Sequence, residues 1–124
     1  MALDDVFGDG SALLDQLMAV IRHDGLMDLL GGLNQVGADE QTATWMGSGP
    51  NAPVASDQVA DALGRTRLEA MAAALGVAPQ DVAAGVARLL PDVVDRLTPT
   101  GAYPNHAALL AADLTDLDVA ALLR

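Results

Sequence analysis

Residues 45–53 read Trp45-Met46-Gly47-Ser48-Gly49-Pro50-Asn51-Ala52-Pro53 and hold the only tryptophan of the chain. Glycine and proline both interrupt regular structure, so no helix or strand is expected to continue through these positions. An aromatic ring directly before such a loop suggests a side chain that is buried in the core. We expect Trp45 to be buried, and we expect structural roles for Gly47, Gly49, Pro50, Asn51 and Pro53. Asparagine and glycine suit such roles because both tolerate left-handed backbone.

The composition around this loop points to an aliphatic core. Of the 124 residues, 52% are hydrophobic, yet the chain has one Trp, one Tyr and one Phe. The core must therefore consist of Leu, Val, Met and Ala. Closely packed helices accept this set of residues better than sheets do, because strands favour β-branched and aromatic side chains.

The charge and the missing residue types of the chain argue against several classes of function. The net charge is −11, all six basic residues are arginines, and cysteine is absent. A negative field repels phosphate backbones and anionic bilayers. Without lysine or cysteine there is no Schiff-base chemistry, thiol nucleophile or disulfide framework. The first residues are acidic where a signal peptide would be basic. We therefore expect a cytoplasmic protein that neither binds nucleic acid nor inserts into a membrane.

The residues before the loop show helical periodicity after a short leader. Residues 1–10 are predicted to be a mobile leader, and Asp9 or Ser11 is expected to cap the first helix. Two glycines inside the second predicted helix, Gly31 and Gly32, indicate either a weak point or a surface that another helix approaches closely. Residues 38–46 are predicted to form a short helix that ends at Trp45. The apolar face of the predicted helical hairpin on the two sides of Gly25 consists of Leu13, Leu17, Val20, Ile21, Leu26, Leu29, Leu30 and Leu33.

Three helices are predicted between the loop and residue 104. Ser56 is expected to cap the first of them, and Thr66 with Glu69 has the form of a capping box that opens the second. Pro79 suits the first turn of the third helix, whereas Pro91 is expected to kink or break it. The predicted inner face of the third helix is Val82, Val86, Leu89, Leu90, Val93 and Leu97.

Residues 105–124 are predicted to form a C-terminal helical arm. Leu110, Leu114, Leu117 and Ala121 have the spacing of one helical stripe, which leaves Val119, Leu122 and Leu123 pointing elsewhere. If the stripe packed on the body, part of the second set would remain exposed, and exposed aliphatic patches often mark interaction sites. We expect the arm to contribute to self-association or partner docking. An arm packed wholly against its own chain is the alternative.

Several of these segments resemble the YidB-like family of small bacterial proteins. The resemblance rests on the 45–53 loop, Ser56, Gln58 and three segments: Leu13-Leu14-Asp15-Gln16, Leu63-Gly64, and Leu89-Leu90-Pro91-Asp92-Val93-Val94-Asp95-Arg96-Leu97-Thr98-Pro99-Thr100-Gly101. It covers roughly residues 11–104. It implies an all-helical fold, and it implies no activity, because none is established for the family.

Four patterns have a chemical interpretation beside a structural one. Residues 68–90 have the cadence of a helix-turn-helix, but the outer face of the second helix offers a single arginine, Arg88, for phosphate contacts, so we favour a structural pair. The Gly47-Ser48-Gly49 turn has the form of an anion-binding nest, yet it follows a helix instead of preceding one. His23 and His106 lack ligand partners at metal-like spacing. Asp92 and Asp95 share a helix face, as arises freely in a chain rich in aspartate.

The sequence thus predicts an all-α protein, a compact bundle of short helices with an N-terminal helical hairpin and a C-terminal helical arm. Its divisions are the leader 1–10, the YidB-like domain 11–104 and the arm 105–124. We expect a non-enzymatic protein–protein interaction or self-assembly module that uses no cofactor and binds a protein partner or a second copy. The alternative is a small-ligand or hydrolytic site beneath the 47–53 loop.

Overall fold

The computed structural model describes residues 3–8, 10–46, 51–98, 114 and 117–123. These residues form α-helices and no strand, which confirms the predicted all-α class. In chain order the helices are α1 (Leu3–Phe7), α2 (Ser11–Asp24), α3 (Leu26–Gln35), α4 (Asp39–Met46), α5 (Ser56–Leu63), α6 (Arg65–Leu75), α7 (Pro79–Leu97) and α8 (Val119–Leu123).

Helix α7 is the central element of the bundle. It packs against α1, α2, α4, α5, α6 and α8, and its predicted inner face is buried throughout. The apolar face of the N-terminal hairpin formed by α2 and α3 lies in the same core, where Leu13, Leu17, Leu30 and Leu33 are fully buried. The aliphatic periodicity of the sequence therefore identified this part of the core, except that Val20 is only half-buried. Trp45, at the end of α4, is also fully buried, as predicted.

Glycines set the two tightest joints in the chain. Gly25 alone separates α2 from α3, and Gly64 alone separates α5 from α6, with φ of 92° and 84°. An L-residue rarely adopts such angles, whereas glycine does so without a steric penalty. The helices on either side of each joint can therefore turn sharply with no loop between them.

Two predicted N-caps are displaced by one residue. Helix α2 begins at Ser11 and has Gly10, in left-handed conformation, at its N-cap position; Asp9 lies outside the described residues. Helix α5 has Ala55 at its N-cap position, so Ser56 is the first helical residue and the prediction that it caps is wrong. The backbone N–H of Ala55 instead donates to Oε1 of Gln58 at 3.2 Å. The Gln58 side chain thus forms one half of a capping box by satisfying the N–H of the cap residue, whereas Ala55 has no side-chain oxygen to form the other half.

The capping box predicted at Thr66 does not form. Helix α6 begins at Arg65, after Gly64 at the N-cap position, so Thr66 is already inside the helix. The Glu69 carboxylate accepts a hydrogen bond from Nε of Arg65 at 2.8 Å. This bond and the charge of Glu69 raise the pKa of the Arg65 guanidinium. The pair is solvated, so it adds little to stability.

Helix α7 continues through Pro91, so the predicted break is absent. A proline in a helix interior removes one backbone hydrogen bond and crowds the preceding turn, at a cost of about 3 kcal/mol. The neighbouring side chains Leu89, Leu90, Val93 and Val94 are all buried in the core. Their packing on both sides of the proline holds the helical path in spite of that local cost.

The two ends of the described chain pack on the same side of α7. Helix α1, within the predicted mobile leader, contacts α2, α7 and α8. In the predicted arm, Leu114, Val119 and Leu123 are buried, whereas Ala121 is exposed and Leu117 is half-buried; Leu110 lies outside the described residues. The expectation that Val119 and Leu123 point away from the body is therefore wrong. The predicted stripe assumed one continuous helix, but residues 114, 117 and 118 are not helical, and the register changes before α8 begins.

Candidate functional site

The loop after Trp45 is held at Ala52 from two sides. The indole Nε1 of Trp45 donates a hydrogen bond to the carbonyl oxygen of Ala52 at 2.7 Å. The backbone N–H of Ala52 donates to Oγ1 of Thr44 at 2.9 Å, and that hydroxyl donates in turn to the carbonyl of Gln41 at 2.6 Å. The last turn of α4 thus fixes the returning chain through two consecutive side chains. We call Thr44, Trp45 and Ala52 the loop clamp.

Asn51 acts through its side chain and not through its backbone. No non-glycine among the described residues has a positive φ, so the expected left-handed conformation of Asn51 is absent. Its Nδ2 instead donates to the carbonyl oxygen of Pro91 on α7 at 3.4 Å. Its Oδ1 is buried without a hydrogen-bond partner. Buried side-chain oxygens are normally hydrogen-bonded, so a donor such as a water molecule is expected beside this one.

The other residues proposed for the loop divide into two groups. Pro53 is exposed and follows the clamp directly. Gly47, Gly49 and Pro50, together with the nest predicted at Gly47-Ser48-Gly49, lie outside the described residues. The described part of the loop is therefore a structural anchor on α4 and α7.

An open groove of about 590 Å³ lies where α3 meets α5 and α6, away from the loop clamp. Its lining combines an apolar side chain, bare backbone and a charged rim: Met27, Asp28, Gly31, Gly32, Gln35, Ala62 and Arg67. Across the rim, Nη2 of Arg67 lies 3.8 Å from Oδ2 of Asp28. Both side chains are more than one-third exposed, so this long ion pair contributes little to folding.

The two glycines of the groove have different surroundings. A Cβ on Gly32 would lie 3.2 Å from the carbonyl oxygen of Ala62, so α5 approaches α3 closely there. A Cβ on Gly31 would meet no atom within 4 Å. The predicted close helix contact is therefore found at Gly32, while Gly31 leaves open space in the groove.

Met27 was not recognised from the sequence. It is 62% exposed, and among the described residues it is the large hydrophobic side chain that remains at the surface. The signal was present, because Met27 falls off the stripe formed by Leu26, Leu29, Leu30 and Leu33. An apolar residue on the polar face of an amphipathic helix is a candidate contact residue.

Helices α6 and α7 have the outline of a helix-turn-helix but differently placed surfaces. The bend between them is 96°, within the range of that motif. However, α7 is the core helix, and residues from Val82 to Leu90 are largely buried. Gln80 and Arg88 are among the few α7 side chains that are exposed. A recognition helix must place a face in the major groove, and this helix is surrounded by its own bundle.

Where the structure describes them, the titratable residues singled out above do not form a metal-binding cluster. Asp92 is half-buried, Asp95 is exposed, and His23 lies in the last turn of α2; His106 is outside the described residues. Within the part of the chain that the structure describes, no three His, Cys, Asp or Glu side chains are grouped so that they could hold a metal ion. No single helix in that part is long and apolar enough to cross a membrane, although α6 and α7 together reach the required length and hydropathy across their bend.

This protein is a small all-α helical bundle organised around one core helix. A clamped loop follows its single tryptophan, and an open groove lies on its surface. The sequence model of the YidB-like protein family matches residues 5–106. The chain belongs to this family, as its loop and helix motifs indicated. Neither the comparison with curated proteins nor that with solved structures gave a match.

Proposed function

We propose that the protein is a non-enzymatic protein–protein interaction or self-assembly module, and that the groove around Met27 is its binding surface. The observation that carries this proposal is the exposure of Met27 beside open space at Gly31. Methionine is flexible and polarisable, so it adapts to the side chains of a partner. The bare backbone at Gly31 admits a partner residue that any side chain at that position would obstruct.

The partner expected here is a protein segment with at least one apolar anchor. Such an anchor would cover Met27 and enter the space at Gly31. The Asp28 carboxylate and the Arg67 guanidinium lie at the rim of the groove. They would set the orientation of the bound segment, because charges at the rim of an interface govern encounter and register more than affinity. The groove is open and not enclosed, which suits a side chain of another protein better than a small molecule that needs to be surrounded.

Site-specific photo-crosslinking tests this proposal. A photoreactive residue would replace Met27 in one version of the chain and Gln80 in another, since both positions are exposed and only the first lines the groove. In cells, we expect a discrete adduct from position 27 and none from position 80. An adduct of twice the chain mass of 12.7 kDa would identify self-assembly, and a different mass would identify a partner protein.

Substitutions at Met27 provide the control. For this control the photoreactive residue replaces Gln35, another residue that lines the groove, so that position 27 can be varied. Met27→Leu should keep the adduct formed from position 35, whereas Met27→Asp should abolish it. Both variants should remain folded, because a side chain that is 62% exposed contributes little to the core. Equal adducts from positions 27 and 80, or an adduct that survives Met27→Asp, would contradict the proposal.

A second candidate is a small-ligand site beneath the 47–53 loop. The observation in its favour is the buried Oδ1 of Asn51, which has no donor. A ligand with an N–H or O–H group would satisfy this oxygen. Because Trp45 binds the neighbouring Ala52, its fluorescence reports on the loop. A saturable change in its emission during titration with polar small molecules, lost in Asn51→Ala, would support this candidate; no saturable change would exclude the tested class.

A further inference from the structure

We propose that the C-terminal segment of this protein is an exchangeable ligand, and that a second copy of the chain is bound when the segments trade places. The C-terminal segment is defined here as residues 114 and 117–123, and the receptor face as the surface of α1, Gly10 and α7 on which it lies. This surface is distinct from the groove around Met27. The failure of either proposal would leave the other standing.

The segment is attached through three buried apolar side chains. The exposed fractions are 9% for Leu114, 7% for Val119 and 1% for Leu123. Helix α8 contacts both α1 and α7. Gly10 marks the closest approach: an added Cβ there would collide with Cγ1 of Val119 and would lie 2.6 Å from Cδ1 of Leu123. A side chain at position 10 would force Val119 and Leu123 to shift, so the close fit of the segment depends on glycine there.

The segment depends on this attachment for its order. Helix α8 has five residues, and isolated helices this short are unstable in water. Its internal bonds are few and local: Ala121 N–H donates to Oδ1 of Asp118 at 3.1 Å, and backbone bonds join Leu117 to Leu114, Val119 to Leu117 and Leu122 to Asp118. Docking and folding of the segment are therefore one event. In this respect it resembles a peptide ligand whose helix forms in a groove.

The connection to the bundle permits the same docking on a second copy. Residues 99–113 separate α7 and its cap Thr98 from Leu114, and a chain of this length can span at most about 50 Å. If the contacts in cis and in trans are identical, their balance depends on the effective concentration of the tethered segment, and flexible tethers in general give values of about millimolar order. At micromolar concentration the segment occupies its own chain. Exchange follows when local concentration is high or when docking in cis is blocked.

The family match includes most of the receptor face but not the C-terminal segment. The family match ends at residue 106, so the C-terminal segment lies beyond it. Gly10 and α7 lie within it. The occupant known to fit the receptor face is the segment of this chain, and a second copy carries the same segment. We therefore assign the face to a second copy and not to an unrelated partner.

Two complementary variants test the exchange. Gly10→Ala blocks the receptor face and leaves the segment intact, whereas Leu123→Asp disables the segment and leaves the face intact. Each alone should be monomeric. Mixed at about 1 mM, the scale of the effective concentration, they should form a 1:1 complex whose light-scattering mass approaches twice 12.7 kDa. Two monomers at that concentration, with both variants folded by circular dichroism, would overturn the proposal.

Matched controls separate docking from general damage. Gly8 also has a positive φ, of 64°, but a Cβ there would meet nothing within 4 Å, so Gly8→Ala carries the same backbone strain without the collision. Ala121 is exposed on α8, so Ala121→Asp adds the same charge without removing an anchor. Neither control should complement the opposite variant, because its own segment still occupies its own face.

A labelled peptide of residues 113–124 gives a second measurement that does not depend on Gly10→Ala. It should bind the Leu123→Asp chain and should bind the unchanged chain at least about tenfold more weakly, because a face that is occupied nine-tenths of the time lowers apparent affinity by that factor. Equal binding to the two chains, or binding to neither, would also overturn the proposal.

Discussion

Trp45→Phe is the substitution that best tests the structural role of the loop clamp. The indole ring is fully buried, and its Nε1 lies 2.7 Å from the carbonyl oxygen of Ala52. Phenylalanine keeps an aromatic ring in the core but removes this donor. The substitution therefore separates the hydrogen bond from most of the hydrophobic burial, which Trp45→Ala would remove together with it.

The expected cost of Trp45→Phe is about 2–3 kcal/mol in the free energy of unfolding. The lost hydrogen bond accounts for about 1 kcal/mol. The smaller ring leaves unfilled volume, for which the cavity cost of roughly 24 cal/mol per Å³ gives about another 1 kcal/mol or slightly more. For a chain of this length the melting temperature should fall by about 8–12 °C. Trp45→Ala should cost about 3–5 kcal/mol, comparable to the total stability of a small domain.

Urea denaturation followed by circular dichroism at the helical band measures this cost, since the substitution removes the only tryptophan fluorophore. Thr44→Val provides a matched partner, because it removes the acceptor for the N–H of the same residue, Ala52. The double variant should be less destabilised than the two single costs combined, with a coupling of about 0.5–1 kcal/mol. Additive effects, or a Trp45→Phe cost under about 0.5 kcal/mol, would refute the clamp.

Four further predictions follow from single contacts. Gly85→Ala should lower the melting temperature, because the added Cβ would collide with side chains of α1 and α2. Gly31→Ala has open space and should stabilise α3 by about 0.5–1 kcal/mol. Differential scanning calorimetry compares the two variants, and equal effects would be inconsistent with the structure. Asn51→Ala should change the unfolding free energy by less than about 1 kcal/mol in urea titrations, since the loss of a long hydrogen bond is offset by removal of an unsatisfied oxygen; a much larger loss would reveal a bound donor at that oxygen. Arg65→Gln should leave the pH dependence of stability between pH 5 and 9 unchanged in urea titrations. The Glu69 carboxylate raises the pKa of the Arg65 guanidinium, so its stabilising charge is lost only as pH rises through that pKa, far above the range tested. Duplex DNA should show no binding at physiological salt in fluorescence anisotropy, given the net charge of −11; micromolar binding that weakens with salt would contradict this.

The fold class and the apolar face of most helices were predictable from the order of residues alone. Leu26, Leu29, Leu30 and Leu33 are buried as their spacing predicted, and so is Trp45. These features are local, because helical periodicity places side chains on one face whatever the helix packs against. The family resemblance rested on local motifs in the same way, and the match over residues 5–106 confirms it.

Other features depend on contacts between residues that are distant in the chain, and local patterns did not predict them. Local preference predicts a kink or a break at Pro91, and packing of the surrounding leucines and valines on neighbouring helices prevents the break, so α7 is continuous. The Asn51 side chain donates to a carbonyl 40 positions away, and Val119 and Leu123 pack closely against Gly10 from the other end of the described chain. The groove at Met27 likewise exists only where three helices meet. A one-dimensional pattern carries no information on which surfaces meet, and the free energy of packing, which exceeds local backbone preferences, selects them.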